Sequence, residues 1–455
     1  MDALSSDLFP IPDPAAWRTQ VQKELKDENA YESLRWHTDE GFILEPYYTA
    51  SDLSHLPLAV IQEAQKQIPG WLNTPECEVY DAKEANGHLR DWLTHGADAF
   101  IIRFGQQPTI ATLLQGIKLS ETPVFFRIHP ETDTVRFVRD LKTIAPYQLK
   151  GGLLNAPDDT IAELTRSTLD SPQFRTICAA SHAFHNAGAT NTQELAYTLA
   201  SLTDAYDQLS SEGLTIDQLV PKTMLSISVG TSYFLEIAKL RAFRVLYNRF
   251  LGYYSIATTS PLFIHCQTST FYDATVTPYT NLLRATTEAM AAVIGGCDAL
   301  TVHPYDAILD TALSNQELSE RIARNVSLLL KEESYLDKVA DPTAGSYYIE
   351  TLTHQLVEAA WSSFLDVEKR GGLKKATADG FIQAELERSY QTKVEAVRQG
   401  KVLVGVNKFR SEHQPNKPNS SFSDFLGLNS SLPNRRLADN FMGGAVIAAI
   451  LTLTI

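Results

Sequence analysis

LFIHCQTST at 262–270, PYTNLLRATTEAMAAVIGG at 278–296 and CDALTVH at 297–303 spell a short apolar run, an amphipathic helix and a second short apolar run. The paired glycines 295–296 end the helix by supplying left-handed backbone freedom. Short apolar runs of this kind suit parallel strands buried on both faces. The pattern extends backwards through CEVYD (77–81), AFIIRF (99–104), VFFRI (124–128), GGLLN (151–155), TICAA (176–180) and LSISV (225–229). GGLLN carries the weakest strand signal. The intervening segments, such as 193–209 and 233–250, are long enough for crossover helices. Eight strands with helices between them predict an α/β protein built on a (β/α)8 TIM barrel.

Two flanks surround this unit. Residues 1–75 form an N-terminal arm in which Trp17, Val21 and Leu25 sit at helical spacing. LRWHTDEGFILEPYYTASDL (34–53) then reads as extended and turn-rich. An arm bearing Trp17, Trp36, Tyr47 and Tyr48 is too apolar to stand free, so it is expected to pack on its own barrel or on a partner. Residues 76–409 hold the barrel and trailing helices, broken at DPTAGS (341–346) and at Gly371-Gly372. Residues 410–455 read as a Pro/Ser/Asn-rich linker and a short tail, with no room expected for a further domain of normal size. The apolar run 443–455 is shorter than the ~20 residues of a membrane span, and a buried or disordered end is expected.

A net charge of −15, with no concentrated basic surface, argues against a nucleic-acid partner. The four cysteines are scattered, and no CxxC or Cys/His cluster suggests a metal site, so reduced thiols are expected. The amino terminus lacks a signal-peptide layout, giving a cytoplasmic expectation and no membrane association.

Five motifs in order, HCQTST, PYTNLLRATTEAMAAVIGGCDAL, ARNVSLLLKEES (323–334), DPTAGSYYIETLT (341–353) and VGVN (404–407), resemble the barrel domain of the methylmalonyl-CoA mutase family. EIAKLRAFRVLY (236–247) and HNAGATNTQELAYTLA (185–200) extend the resemblance across residues 17–409. The resemblance implies a radical rearrangement of an acyl-CoA thioester with adenosylcobalamin. A closed barrel suits that reaction because it excludes water from reactive intermediates.

The family's catalytic parts are then matched residue by residue. Its Tyr-His pair before the AGA turn falls on His182 and Ala183, and a methyl group can neither donate a hydrogen bond nor move a proton. The TIRQYAGF-like stretch near the first strand is missing from 69–86, and no arginine near GGLLNAPDD (151–159) matches the substrate-carboxylate residue. The DxHxxG cobalt motif has no match either, since DWLTHG (91–96) has the wrong spacing. These departures resemble the small, non-catalytic subunit of heterodimeric bacterial mutases. They imply no catalytic residue here, with adenosylcobalamin held by a catalytic large subunit. RRLADNF (435–441) resembles only the approach to a cobalamin domain, so no complete cobalamin-binding domain is expected. Two alternatives stay open: a barrel active with a separate cobalamin-binding chain, in which His182 takes over the thioester contact, or a non-enzymatic, chaperone-like binding module.

His182, His185, His265 and Gln267 are the candidate residues of a vestigial pocket, and His303 and Tyr305 follow the eighth strand. Glu236, Lys239 and Arg241 are expected in a solvated or interhelical network. Arg321, Arg324, Glu332 and Glu333 are expected to cap or bridge elements. DPTAGS reads as a turn joining helices, because the GxxxxGK[ST] phosphate-loop pattern is absent.

Overall fold

A computed structural model describes residues 14–26, 30–256, 261–310, 315–410 and 432–441. Its strands form two five-stranded parallel sheets and one small antiparallel hairpin. Leu72–Asn73 pairs with Ala299–Thr301, which is followed in the same sheet by Phe263–Thr268, Thr223–Val229 and Ile177–Ala180. The second sheet runs Glu76–Glu78, Phe100–Phe104, Val124–Ile128, Gly151–Leu153 and Phe174–Arg175.

Only Thr74 and Pro75 separate the first strands of the two sheets, and only Thr176 separates the last. Segment 72–78 therefore pairs with Ala299–Thr301 at one end and with Phe100–Phe104 at the other. Segment 174–180 likewise joins Gly151–Leu153 to Thr223–Val229. This is a TIM-barrel-like α/β arrangement. The first strand was expected at 77–81, yet it begins at Leu72, inside the stretch assigned to the arm. Pro75 lacks the N–H needed for an uninterrupted ladder, and Asp81 caps the next helix by accepting from the Lys83 and Glu84 amides.

Strand Thr223–Val229 alternates, as LSISV spells it. Leu225, Ile227 and Val229 face the helices, while Met224, Ser226 and Ser228 face the space between the sheets. The weakest expected strand is present, and its glycines are required. Gly151 and Gly152 have φ of +114° and +156°, and a methyl on either would run into the Val124 or Arg175 backbone. Of the paired glycines 295–296, only Gly296 is left-handed (φ +87°), while Gly295 stays in the right-handed helical region.

Helix Tyr233–Gly252 lies between the strands and helix Tyr347–Lys369, so it is buried on nearly every side. The arm helix Pro14–Leu25 forms as expected and rests on its own chain, with Trp17 stacked on Tyr47 at 4.9 Å. Tyr48 packs on Tyr348 at 5.5 Å. The expected linker (411–431) and apolar tail (443–455) lie outside the described residues.

Candidate functional site

The space between the sheets, near the carboxyl ends of the strands, is filled with polar side chains. His265 and Gln267 lie two residues apart on one strand and so share its face. Ser226 and Ser228 do the same on the neighbouring strand. His182 begins the short helix that follows Ile177–Ala180.

These groups form one hydrogen-bonded chain whose direction chemistry fixes. Thr74 O is a carbonyl and can only accept, so the Thr301 hydroxyl donates to it (2.6 Å). Thr301 Oγ1 then accepts from His265 Nε2 (2.9 Å). With Nε2 protonated, His265 Nδ1 accepts from the Ser226 hydroxyl (2.8 Å). Ser226 Oγ accepts from His182 Nε2 (2.8 Å), and His182 Nδ1 accepts from Ser228 (2.7 Å). Both imidazoles are neutral in this chain. Burial depresses each, and Arg127 adds to the effect; His265 is lowered to about 3 and His182 well below its ordinary range.

Arg127 occupies the other side of this space. It donates to Gln267 Oε1 at 3.1 Å and pairs with Glu76 at 2.9 Å, and Arg103 lies 3.4 Å from the same carboxylate. Burial alone would raise the Glu76 carboxyl, but Arg127 and Arg103 outweigh it and hold the group below the usual range. His303 is buried nearby and lowered to about 4, chiefly by desolvation. A cavity of about 30 Å³ beside Glu76, Thr301 and His303 has room for one or two waters.

His185 belongs to a second cluster. Its Nδ1 donates to Glu194 at 2.6 Å, which leaves Nε2 to accept from the Ser269 hydroxyl at 2.6 Å. Lys239 lies 3.1 Å from Glu194 and 2.6 Å from Glu236, and donates to the Ser228 carbonyl at 2.8 Å. Of the solvated or interhelical network expected for Glu236, Lys239 and Arg241, the interhelical one is found: they are 2%, 0% and 1% exposed. Helix Tyr347–Lys369 meets Arg241 through Glu350, whereas Lys239 joins Glu236 to Glu194 of helix Asn191–Ser211 and to the Ser228 carbonyl. Burial raises Glu236, with Lys239 only partly offsetting it. For Glu194, Lys239 and His185 outweigh burial and lower it. Burial also pushes Glu288 well above the carboxylate range while Oε2 accepts from the Ser269 amide.

Arg241 reaches away from this cluster to Asp341 and to Glu350 (2.8 Å), and Glu350 accepts from the Gly345 amide. DPTAGS is thus a turn clamped by a buried guanidinium, in line with its reading as a helix connection. Arg324 is buried, its carbonyl accepting from Asn73. Tyr305 stacks obliquely on Tyr279 at 5.3 Å, at the rim.

The candidate histidines therefore fall into two networks rather than one pocket: His182, His265 and Gln267 lie between the sheets, and His185 lies under the helices. Ala183 is buried and adds no polar atom to either. The sequence reading missed Arg127, Glu76, Glu194 and Glu288. An arginine within VFFRI and a glutamate within ECEVY were the available signals, since a charge inside a buried strand requires a buried counterion.

Among the described residues, no group of three or more His, Cys, Asp or Glu side chains could hold a metal ion, and no helix is long and apolar enough to cross a membrane. All four cysteines are free and buried. Both ring nitrogens of His182, His185 and His265 are engaged, so none of these three is free to ligate cobalt. The cavities at the strand ends, about 20 and 30 Å³, are far too small for a corrin ring.

The sequence profile described as methylmalonyl-CoA mutase matches residues 158–425. The methylmalonyl-CoA mutase small subunit of Porphyromonas gingivalis is 32% identical over 439 residues, covering 88% of this chain and 70% of that protein. Methylmalonyl-CoA mutase of Cereibacter sphaeroides is 29% identical, covering 87% of this chain and 64% of its own length. The Escherichia coli methylmalonyl-CoA mutase is 27% identical, with coverages of 96% and 70%.

Proposed function

This chain belongs to the methylmalonyl-CoA mutase family, and from that premise we propose that it is the non-catalytic small subunit of an adenosylcobalamin-dependent mutase interconverting methylmalonyl-CoA and succinyl-CoA. One observation carries the reading: Ala183 stands where the family places its thioester histidine, beside a strand-end space already filled by the His182–Ser226–His265 chain and the Arg127–Glu76 pair. A closed (β/α)8 barrel fits the way segments 72–78 and 174–180 join the two sheets. The likeness to a relative named as a small subunit adds support.

Adenosylcobalamin supplies the radical chemistry in this family, and the residues present here do not fit it, so we assign it to a catalytic large subunit. The task of this chain is then to bury apolar surface of that partner and hold its barrel in a competent shape. The contact assigned to it is the arm, where Leu34, Trp36, Tyr47, Tyr48 and Tyr347 line an open groove of about 460 Å³. Trp36 is 43% exposed there and Tyr347 42%. Assembly in the cytoplasm is part of the same reading.

The alternative of a barrel active with a separate cobalamin-binding chain needs His182 to contact the thioester. Ser228 and Ser226 already occupy both of its nitrogens, which weighs against it. Purifying the chain alone and with the large subunit tests the proposal. The expected result is a stable 1:1 complex whose turnover survives His182→Ala here but not loss of the partner's catalytic residues. Turnover by this chain with only a free cobalamin domain, abolished by His182→Ala, would overturn it.

A further inference from the structure

Strands Trp36–His37 and Ile43–Leu44 form a hairpin whose tip is the Asp39–Glu40 turn, closed by Gly41 at φ +82°. The Glu40 carboxylate sits on the amino terminus of the 21-residue helix Asn191–Ser211, accepting from the Asn191 amide at 2.7 Å and the Thr192 amide at 2.8 Å. Its neighbour Asp39 takes Lys401 at 3.0 Å and Lys393 at 3.9 Å. One turn thus places two carboxylates on two main-chain donors and two ammonium groups, all at a strand-end face.

A second observation is independent of the helix terminus. Asn191 is only 8% exposed, yet its Nδ2 donor has no hydrogen-bond partner, and it lines the small cavity beneath the turn with Lys393 and Lys401. An amide donor buried without an acceptor is destabilising, and an anion in the cavity would supply the missing acceptor. With the turn in place the cavity measures about 20 Å³, enough for one water.

We propose that this is a phosphate site which the chain fills with its own acidic turn, Asp39 and Glu40 standing in for a tetrahedral oxyanion. The charge matches: two carboxylates carry −2, and a phosphate group carries about −1.5 to −2 at neutral pH. Displacing the turn would free the Asn191 and Thr192 amides, Lys393 and Lys401 beside the already unpartnered Asn191 Nδ2, the amides forming the kind of anion site found at helix amino termini. Glu194 and Glu236 also line the cavity, but each is turned to Lys239, and Glu194 to His185 as well. The ligand is either free phosphate or a phosphomonoester.

Calorimetric titration of the full chain with inorganic phosphate and with glycerol phosphate tests the site. Glu40→Ala should bind inorganic phosphate saturably and roughly tenfold or more tighter than wild type, a difference lost on adding Asn191→Leu. Tighter binding of glycerol phosphate identifies a monoester ligand; equal or weaker binding identifies the free ion. Glu40→Ala binding no tighter than wild type, or binding indifferent to Asn191→Leu, would overturn the proposal. Should Glu40→Ala fail to fold, hydrogen exchange on wild type decides. Phosphate should accelerate amide exchange at 38–42 relative to chloride at equal ionic strength, and an unchanged rate refutes the site.

Discussion

Replacing Lys239 by Met tests whether a buried ammonium holds the strand ends to the surrounding helices. Its Nζ serves Glu194 (3.1 Å), Glu236 (2.6 Å) and the Ser228 carbonyl (2.8 Å), with no exposed surface. Removing one member of a buried ion pair costs about 3–5 kcal/mol, because the charge left behind is uncompensated. Here one substitution takes the ammonium from Glu236 and leaves Glu194 with His185 alone, so two carboxylates are affected and the loss belongs within that range. The effect must also depend on pH. In wild type the Glu194 carboxyl lies below its ordinary 4.5, because Lys239 and His185 outweigh burial. Its contribution is therefore full above about 4.5 and disappears as pH falls through the lower folded value. Without the ammonium, burial dominates and the folded value moves above the unfolded one. The variant is then penalised most at neutral pH and recovers on acidification. Urea unfolding followed by circular dichroism at about pH 7.5 and about pH 5 measures both gaps. A deficit below about 1 kcal/mol at the higher pH, or an equal deficit at both, would refute the reasoning. Adding Glu194→Gln to Lys239→Met should restore part of the loss.

Ser226→Ala removes both the donor to His265 Nδ1 and the acceptor of His182 Nε2–H. Two buried ring nitrogens lose their partners, and a loss of about 2–4 kcal/mol in urea unfolding is expected. Because burial lowers His265 to about 3, its unfolded form takes up a proton below about 6.5 while the folded form does not. Stability therefore falls as pH drops from about 6.5 towards 3, and His265→Asn should remove about one proton from that slope in a pH series of melts. Gly152→Ala should abolish soluble expression, since its methyl would strike the Arg175 backbone.

How far the sequence could be read followed from what each residue's neighbours were. LFIHC and AFIIRF announced their strands because flanking turns and apolar content are local properties. His265 and Gln267 were legible as strand-end residues for the same reason. Ser226 and Ser228 were not singled out: LSISV spells the alternation, but the histidines the serines meet lie 39 to 46 residues away. The spacing of Glu236 and Lys239 fits a solvated or an interhelical network alike, because it is local, whereas the partner that decides, Glu194, lies 45 residues before Lys239. Glu40 gave no local signal, since the amides it caps are 151 and 152 residues away in sequence.

The divided first strand constrains how the chain reaches this state. Thr74 receives the Thr301 hydroxyl across 227 residues. Leu72–Asn73 has its strand register with Ala299–Leu300, although Asn73 also bonds Asp98 and Ala99 nearer in sequence. On a ribosome this edge must wait until residue 299 has emerged. Contacts of such long sequence separation form slowly and leave strand edges open to other chains meanwhile. A translation pause before residue 299 would prolong that exposure, whereas a pause after residue 310 would fall when every strand of both sheets has been made.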